Sequence, residues 1–513
     1  MMVCPIDKAI ADTALQDGQR EAISDRERMW DYETLERMVG RVADHFTESE
    51  LKPGDRVAVY LPKNCDCVAT LFGVMRAGLI AVPVNPGLKS PQIRHILDDS
   101  GTSVLVTSSN FLKALDGMLL PSVTMVDHLT QGEEKASQKK GGDLRHSEVN
   151  PDNPAIILYT SGSTGLAMGV VISHSNLWYG AQSVVEYLSL TAQDRVLAVL
   201  PLSFDYGLNQ VISAIQAQAS VHLLDYMTPA DIPQAIARKA ITCLAGVPNL
   251  WADLMHISWP DDIAQRLTIV TSSGGRLLEN VIRKMIDLFP NARIHSMYGL
   301  TEAFRSTSLD PDLIASHPSS IGRAVPYAEV RIVRPDGSEC SDDEIGELVH
   351  IGPFVALGYW RNPEVTARRF RPAPSCSTTA NAGDLAVWSG DKARRDSQGL
   401  ITFVGRDNEM IKTSGYRVSP TEVEVALHKI AMIEQAVVLR MEDRQRGEGI
   451  AAMLTLKAGS KPPSNENAFV RQLTPLLPPW MIPRRFIICQ SLPRNPNGKI
   501  DRSLLQAQLE ELL

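Results

Sequence analysis

The sequence predicts an α/β protein: a large N-terminal domain of stacked sheets with covering helices, then a small α+β domain. Three observations carry this. Short β-branched runs alternate with helix-patterned stretches through most of the length, the pattern of parallel strands joined through helices. From Gly405 onward the pattern changes to short strands, one capped helix and a closing turn. The 513 residues are enough for more than one buried core.

In chain order, the expected strands are RVAVYL (56–61), TSVLVTS (102–108), AIILYT (155–160), RVLAVL (195–200), SVHLL (220–224) and RLTIVTSS (266–273). Helix patterning falls between them, at Val68–Arg76, Asp231–Lys239 and Asn280–Leu288. Three polar stretches read as loops: Gln131–Asn153, Arg371–Gly383, which is low in complexity and expected to be mobile, and Ala458–Asn467. In the last part, a helix starts after Ser419, with Pro420 at its first position. The strand pair AVVLRM and IAAMLTL, a helix and a basic turn complete a unit of about 100 residues, a common domain size.

Composition narrows the function. Hydrophobic residues make up 44% and charged residues 21%, as in ordinary globular proteins. The net charge of −8, with no long basic run, argues against a nucleic-acid partner. No apolar stretch reaches the roughly 18 residues of a membrane span, and the first residues lack a signal-peptide pattern. A cytoplasmic location is expected. The seven cysteines are scattered, with no CxxC pair and no Cys/His cluster, so no zinc site is expected. Cys65 and Cys67 read as small hydrophobes in a helix.

The strongest local signal is YTSGSTGLAMGVVISHSNL, residues 159–177. A strand runs into a loop of Ser161, Gly162, Ser163, Thr164 and Gly165. Backbone N–H groups and hydroxyls in such a loop can wrap a phosphate. It lacks the GxxxxGK[ST] pattern of the usual P-loop. MYGLTEA (297–303), GELVHIGPFVALGYWRNPEVTARRF (346–370), VWSGDKARRDSQGLITFVGR (387–406) and PRNPNGKIDR (493–502) follow in order, with weaker matches at WDYETL (30–35) and MRAGLIAVPVNP (75–86). In this order the motifs resemble the adenylate-forming superfamily of acyl-CoA synthetases, luciferases and peptide-synthetase adenylation domains. The phrasing is most similar to bacterial AMP-forming acyl-CoA ligases of the exosortase-associated type and to stand-alone adenylation enzymes.

That resemblance implies ATP and Mg²⁺ as cofactors. A carboxylic acid would be activated as an acyl-adenylate and passed to the thiol of coenzyme A or of a carrier-protein phosphopantetheine. The partners implied are the acid, ATP or AMP, and an acyl or peptidyl carrier protein. Lys499 resembles the catalytic lysine that bridges carboxylate and α-phosphate. Glu302 corresponds to the Mg²⁺-associated acid and Thr301 to an α-phosphate donor. Tyr298 would stack on adenine; Asp391 and Arg406 match the ribose pair, in preference to Asp384. Thr160, the loop from Ser161 to Gly165, Gly275 and Gly299 complete the expected nucleotide site. Phe204, Asp205, Gly246, Val247 and Gly274 would border the acyl pocket. The family divides at residues 1–407 and 408–513, with a mobile C-terminal domain pivoting at Asn408. Lys412 matches a lysine of the second half-reaction, and Gly415 and Tyr416 would line the thiol tunnel.

Some positions depart from the family. Ala167-Met168 replaces Pro-Lys after the phosphate loop. Methionine supplies no cation for the outer phosphates, which would weaken ATP binding or pyrophosphate departure; with Lys499, Glu302, Asp391 and Arg406 all present, the favoured reading is that the loop's backbone donors and Mg²⁺ suffice. Asn408 stands where an aspartate or lysine is usual, keeping hydrogen bonding but losing a charge. Asp205 fits both amino-acid-activating relatives, where it meets the substrate ammonium, and fatty-acyl-AMP ligases. Two alternatives remain: a stand-alone amino-acid adenylating carrier-protein ligase, and a thioester-forming enzyme that uses an adenylate made by a partner. Taken singly each residue has an ordinary reading, such as Lys499 as a solvated turn lysine; their ordered combination carries the assignment.

Overall fold

A computed structural model of the chain describes residues 5–113, 115, 117–130, 149–161, 167–381, 383–406, 411–413, 416–443, 447–463, 465–477 and 479–512. Strands form at Arg56–Tyr60, Val104–Thr107, Pro154–Ser161, Arg195–Ala198, Ser220–Leu223 and Ile269–Ser272, at the six runs expected. Helices form at Cys65–Arg76, Asp231–Lys239 and Glu279–Leu288.

Among the described residues the strands make sheets of fourteen, seven and five. In the seven-stranded sheet Pro154–Ser161, Ile80–Pro83, Arg56–Tyr60, Val104–Thr107 and Ser122–Met125 run parallel, as expected. In the largest sheet Ser220–Leu223, Arg195–Ala198, Cys243–Gly246, Ile269–Ser272 and Arg293–Tyr298 are likewise parallel neighbours. The sequence pattern missed a second style. From Thr307 to Arg406 every described pairing is antiparallel. Turns connect most of these strands, and parallel pairing needs a longer crossover.

The two large sheets share one core. Val57 and Ile156 from one sheet and Val196 and Val221 from the other join a single apolar cluster. Helices Tyr32–Thr47, Cys65–Arg76, His174–Leu188 and Asp205–Gln216 contribute to the same cluster, so they lie between the sheets. Every residue of Cys65–Arg76 is buried, as is Asp205 through Ile215. Both are covered on all faces, and their buried charged residues Asp66, Arg76 and Asp205 are held by ion pairs. Cys65 and Cys67 are therefore core residues, their thiols pushed up by burial. Among the described residues no group of three His, Cys, Asp or Glu is placed to hold a metal. No helix among them is long and apolar enough to cross a membrane.

The five-stranded sheet takes all its strands from residues after 410. Ile433–Asp443 and Gly447–Leu456 pair antiparallel at its centre. Helix Pro420–His428 starts where the sequence places it, the Ser419 side chain accepting from Glu422 N.

Two of the expected loops are corrected at their ends. Asn467 already opens helix Asn467–Leu473. In Arg371–Gly383, Arg371 and Pro372 belong to strand Phe370–Pro372, and the segment that follows is clamped. Glu329 accepts from Thr378 N at 2.9 Å, Thr379 N at 3.1 Å, Ser377 Oγ at 2.7 Å and Thr379 Oγ1 at 2.5 Å. Burial alone would raise this carboxyl, but the hydroxyl, backbone and Arg331 donors hold it well below the usual carboxylate range. Low complexity here marks a capped turn, since Ser and Thr hydroxyls suit local capping. Of the first loop, residues 131–148 lie outside the described set.

Candidate active site

The residues expected to border the acyl pocket gather around the start of the helix Asp205–Gln216. Phe204 caps this helix in extended conformation, and Asp205 sits in the first turn, where the positive end of the helix favours a carboxylate. Asp205 is only 5% exposed. Its partner was not singled out from the sequence: Arg305 Nη1 lies 3.5 Å from Asp205 Oδ2. Arg305 is 1% exposed. Its Nη1 also donates to Phe304 O at 2.9 Å, and the guanidinium stands 4.8 Å from the centre of the Tyr206 ring. Thr301 Oγ1 donates to Asp205 Oδ1 at 3.4 Å. Burial pushes the Asp205 carboxyl up; Arg305 and Lys499 oppose this, and the net direction is upward.

Strand ends floor this region. Gly246 ends Cys243–Gly246, and a Cβ there would come within 2.9 Å of Trp251 Nε1. That indole donates to Gly246 O at 3.2 Å and to Thr271 O at 3.1 Å. Val247 is buried beside it. Gly274 has φ +82°, and a Cβ on it would come within 3.0 Å of Lys499 Cε. Gly275 meets only ordinary contact, with Pro248.

Lys499 reaches this place from a tight turn. Asn495 Oδ1 accepts from Asn497 N at 3.1 Å and Lys499 N at 3.0 Å, and Gly498 takes φ +78°. The turn docks through polar contacts: Asn249 Nδ2 donates to Gly498 O at 3.0 Å, and Arg494 Nη1 pairs with Asp253 at 3.1 Å. Asn85 Nδ2 lies 3.5 Å from Pro496 O. The ammonium of Lys499 stands 4.8 Å from the Phe204 ring centre, within the range of cation–π attraction.

Several residues expected at the nucleotide gather at the end of strand Arg293–Tyr298. Tyr298 donates its hydroxyl to Asp391 Oδ2 at 2.5 Å. Asp391 is 3% exposed and is the cross-strand partner of Arg406. The structure thus joins three of the expected nucleotide positions; it also shows the Tyr298 phenol engaged with Asp391. Asp384, by contrast, is exposed and accepts from Asn381 N at 2.8 Å in its own turn. Gly299 has reason to lack a side chain: a Cβ would come within 3.1 Å of Phe304 O. Glu302 accepts from the Tyr359 hydroxyl and lies 3.9 Å from Arg369 Nε. Neither partner was singled out from the sequence. A single carboxylate suits Mg²⁺, which commonly takes one or two protein carboxylates together with substrate phosphates.

Thr160 pairs with Met168, and Ser161 with Ala167, across the antiparallel strand pair that flanks the expected phosphate loop. Lys412 lies in strand Ile411–Thr413, paired antiparallel with Tyr416–Val418. Gly162, Ser163, Thr164, Gly165, Asn408 and Gly415 lie outside the described residues.

Residues 10–360 match the AMP-binding enzyme family model, and residues 422–499 match the AMP-binding enzyme C-terminal domain. The chain is 29% identical over 486 residues to gramicidin S synthase 2 of Aneurinibacillus migulanus, covering 92% of this chain and 10% of that protein. It thus spans a small fraction of that relative. Its fold overlays ATP-bound MatB from Rhodopseudomonas palustris with TM-score 0.88 at 25% identity, covering 100% of both chains. Against the apo form of the same protein the TM-score is 0.78, at 25% identity and the same coverage. The chain belongs to the AMP-binding enzyme family.

Proposed function

We propose that the chain activates a carboxylic acid with ATP and then transfers the acyl group to a thiol. A carboxylate oxygen bonds to the α-phosphorus, and pyrophosphate leaves with the electron pair of the broken P–O bond. The thiolate sulfur then bonds to the acyl carbon, and AMP leaves. The observation that carries this reading is the placement of Lys499 at the mouth of the acyl pocket, against Phe204 and Gly274 and within the field of Asp205. There its ammonium can bridge a substrate carboxylate and a phosphate as charge grows, the preorganised stabilisation that contributes most to such reactions.

The remaining roles follow the same reading. Tyr298, Asp391 and Arg406 hold the nucleoside, while Thr160, the 161–165 loop, Gly275 and Gly299 frame the phosphates. Thr301 orients the α-phosphate, and Glu302 holds Mg²⁺. Bound there, Mg²⁺ would neutralise charge on the departing phosphates. Phe204, Asp205, Gly246, Val247 and Gly274 form the acyl side. The domains divide at 407/408, with Asn408 as pivot; rotation about it withdraws Lys499 and brings Lys412, Gly415 and Tyr416 to the thiol, a hinge-type motion. A cytoplasmic location, where ATP is supplied, fits the same reading. The acceptor is coenzyme A or a carrier-protein thiol, the second favoured by the likeness to a gramicidin synthase.

Acid-dependent exchange of labelled pyrophosphate into ATP tests the first step, over fatty, aromatic and amino acids. Each thiol is then supplied separately. No exchange with any acid, alongside conversion of a supplied acyl-adenylate, would move the assignment to the second step alone.

A further inference from the structure

Arg369 stands inside the expected nucleotide site without a part in the steps above. It closes helix Pro363–Arg369 and leads into strand Phe370–Pro372. Its neighbour Arg368 stays in water, 75% exposed, beside Glu364 at 3.7 Å. Arg369 turns inward instead. Its Nε lies 3.9 Å from Glu302 Oε1, an ion pair too long for a hydrogen bond. It also acts on the Tyr359 hydroxyl, which donates to Glu302. On its other side the guanidinium packs over Gly390, where a Cβ would come within 2.7 Å of Nη1. Gly390 precedes Asp391. The cation therefore spans the space between the carboxylate expected at Mg²⁺ and the one expected at the ribose. Its side chain is 29% exposed, so the guanidinium remains open to a ligand.

The ligand's charge gives such a cation work. The string SGSTGLAM, residues 161–168, holds no lysine or arginine, so its donors are neutral. Mg²⁺ held by Glu302 would offset the triphosphate charge only in part. Lys499 stands at the acyl side, against Phe204 and Gly274. A guanidinium suits phosphate oxygens, because its planar fork can donate two parallel hydrogen bonds to them. Strand register shows why position 168 can stay neutral. Val170 lies directly opposite Tyr359. Alternate residues of a strand share a face, so Met168 lies on the Tyr359 side, and it packs on the same apolar cluster. A cation at 168 would arrive beside Tyr359 and Glu302, where Arg369 already stands.

We propose that Arg369 binds the outer phosphates of ATP, supplying from the end of helix Pro363–Arg369 the charge that position 168 lacks. The proposal rests on the acyl-adenylate reading above and adds a binding residue to that same site.

The test measures binding of ATP and of AMP to the full chain by calorimetry, without any acid substrate, in Mg²⁺ and again in EDTA. Arg369→Met should weaken ATP about 10- to 100-fold, the range for one contact to a charged group, and leave AMP unchanged. The loss should persist in EDTA, where Glu302 has no metal to hold. Met168→Lys added to Arg369→Met should recover about tenfold. Should Arg369→Met fail to fold, Arg369→Gln, which removes the charge and keeps a donor, carries the same expectation. Equal weakening of ATP and AMP overturns the proposal, since Arg369 would then only support the wall between Glu302 and Gly390. An unchanged ATP affinity overturns it too. A loss confined to Mg²⁺ also overturns it and makes Arg369 a support for Glu302. A selective loss that Met168→Lys leaves unrepaired overturns the shared place of the two side chains. If the unaltered chain binds neither nucleotide, the acyl-adenylate reading falls and this proposal with it.

Discussion

Lys499 and Arg305 both act on Asp205, yet they are held in opposite ways. Lys499 arrives on a turn near the chain's end, fixed by Asn249, the Arg494–Asp253 pair and Asn85. These contacts are polar and partly exposed, so water can replace them. Arg305 follows strand Arg293–Tyr298 and is sealed between Tyr206, Phe304 and Asp205. Phe304, which leads into it, takes φ +54°, an uncommon conformation for a bulky residue that packing must hold in place. In the proposed two-step reaction the cation of the first step leaves afterwards, and weak polar docking permits that. Arg305 has no such freedom, because the core around Tyr206 and Phe304 fixes it.

The largest effect should come from breaking the fixed side. Arg305→Met strands a buried carboxylate, so stability should fall by about 3–5 kcal/mol, read from urea unfolding. Asp205→Asn added to it should restore much of that loss. Equal instability of single and double variants would show that the two residues do not act as a pair. On the docked side, Lys499→Ala should slow acyl-adenylate formation by about 10²- to 10³-fold with no change in thermal midpoint. Thiol transfer from a supplied acyl-adenylate should survive. If both half-reactions fell together, the distinction between a departing and a resident cation would fail.

A third cation sharpens the contrast. Met168 pairs with Thr160 beside the phosphate loop, half-buried. Met168→Lys should quicken pyrophosphate release by about tenfold, the worth of one charged contact. An unchanged rate would mean that the chain does not need this charge. The smallest effect belongs to the docking pair. Arg494→Ala removes a half-exposed salt bridge worth below about 1 kcal/mol, and adenylation should drop by a few-fold at most. A loss as large as that of Lys499→Ala would mean that docking, and not the ammonium, limits the step.

The part of this arrangement legible in the sequence was the part carried by short, ordered strings. Tyr298, Thr301 and Glu302 come from one string, Asp391 and Arg406 from another, and Lys499 with its Asn-Gly turn from a third. The fold places the first two strings together, and Lys499 beside the acyl pocket. What could not be read were pairings across long separations. Arg305 is a lone arginine outside any quoted motif, and only the packing of a helix a hundred residues earlier makes it Asp205's partner. Tyr359 and Arg369 meet Glu302 in the same way. Composition also misled at Ser377–Thr379, where a turn-rich string proved to be the cap on Glu329.

The bare α-carbon at Gly274 has a consequence for handling this protein in the laboratory. Lys499 Cε takes up the room a methyl group would claim, 3.0 Å from where that methyl would sit. Gly274→Ala would therefore press the end of the Lys499 side chain out of place, and would strain a backbone held at φ +82°. A single added carbon would thus be expected to hinder the first step of the proposed sequence, which needs that ammonium, more than the second.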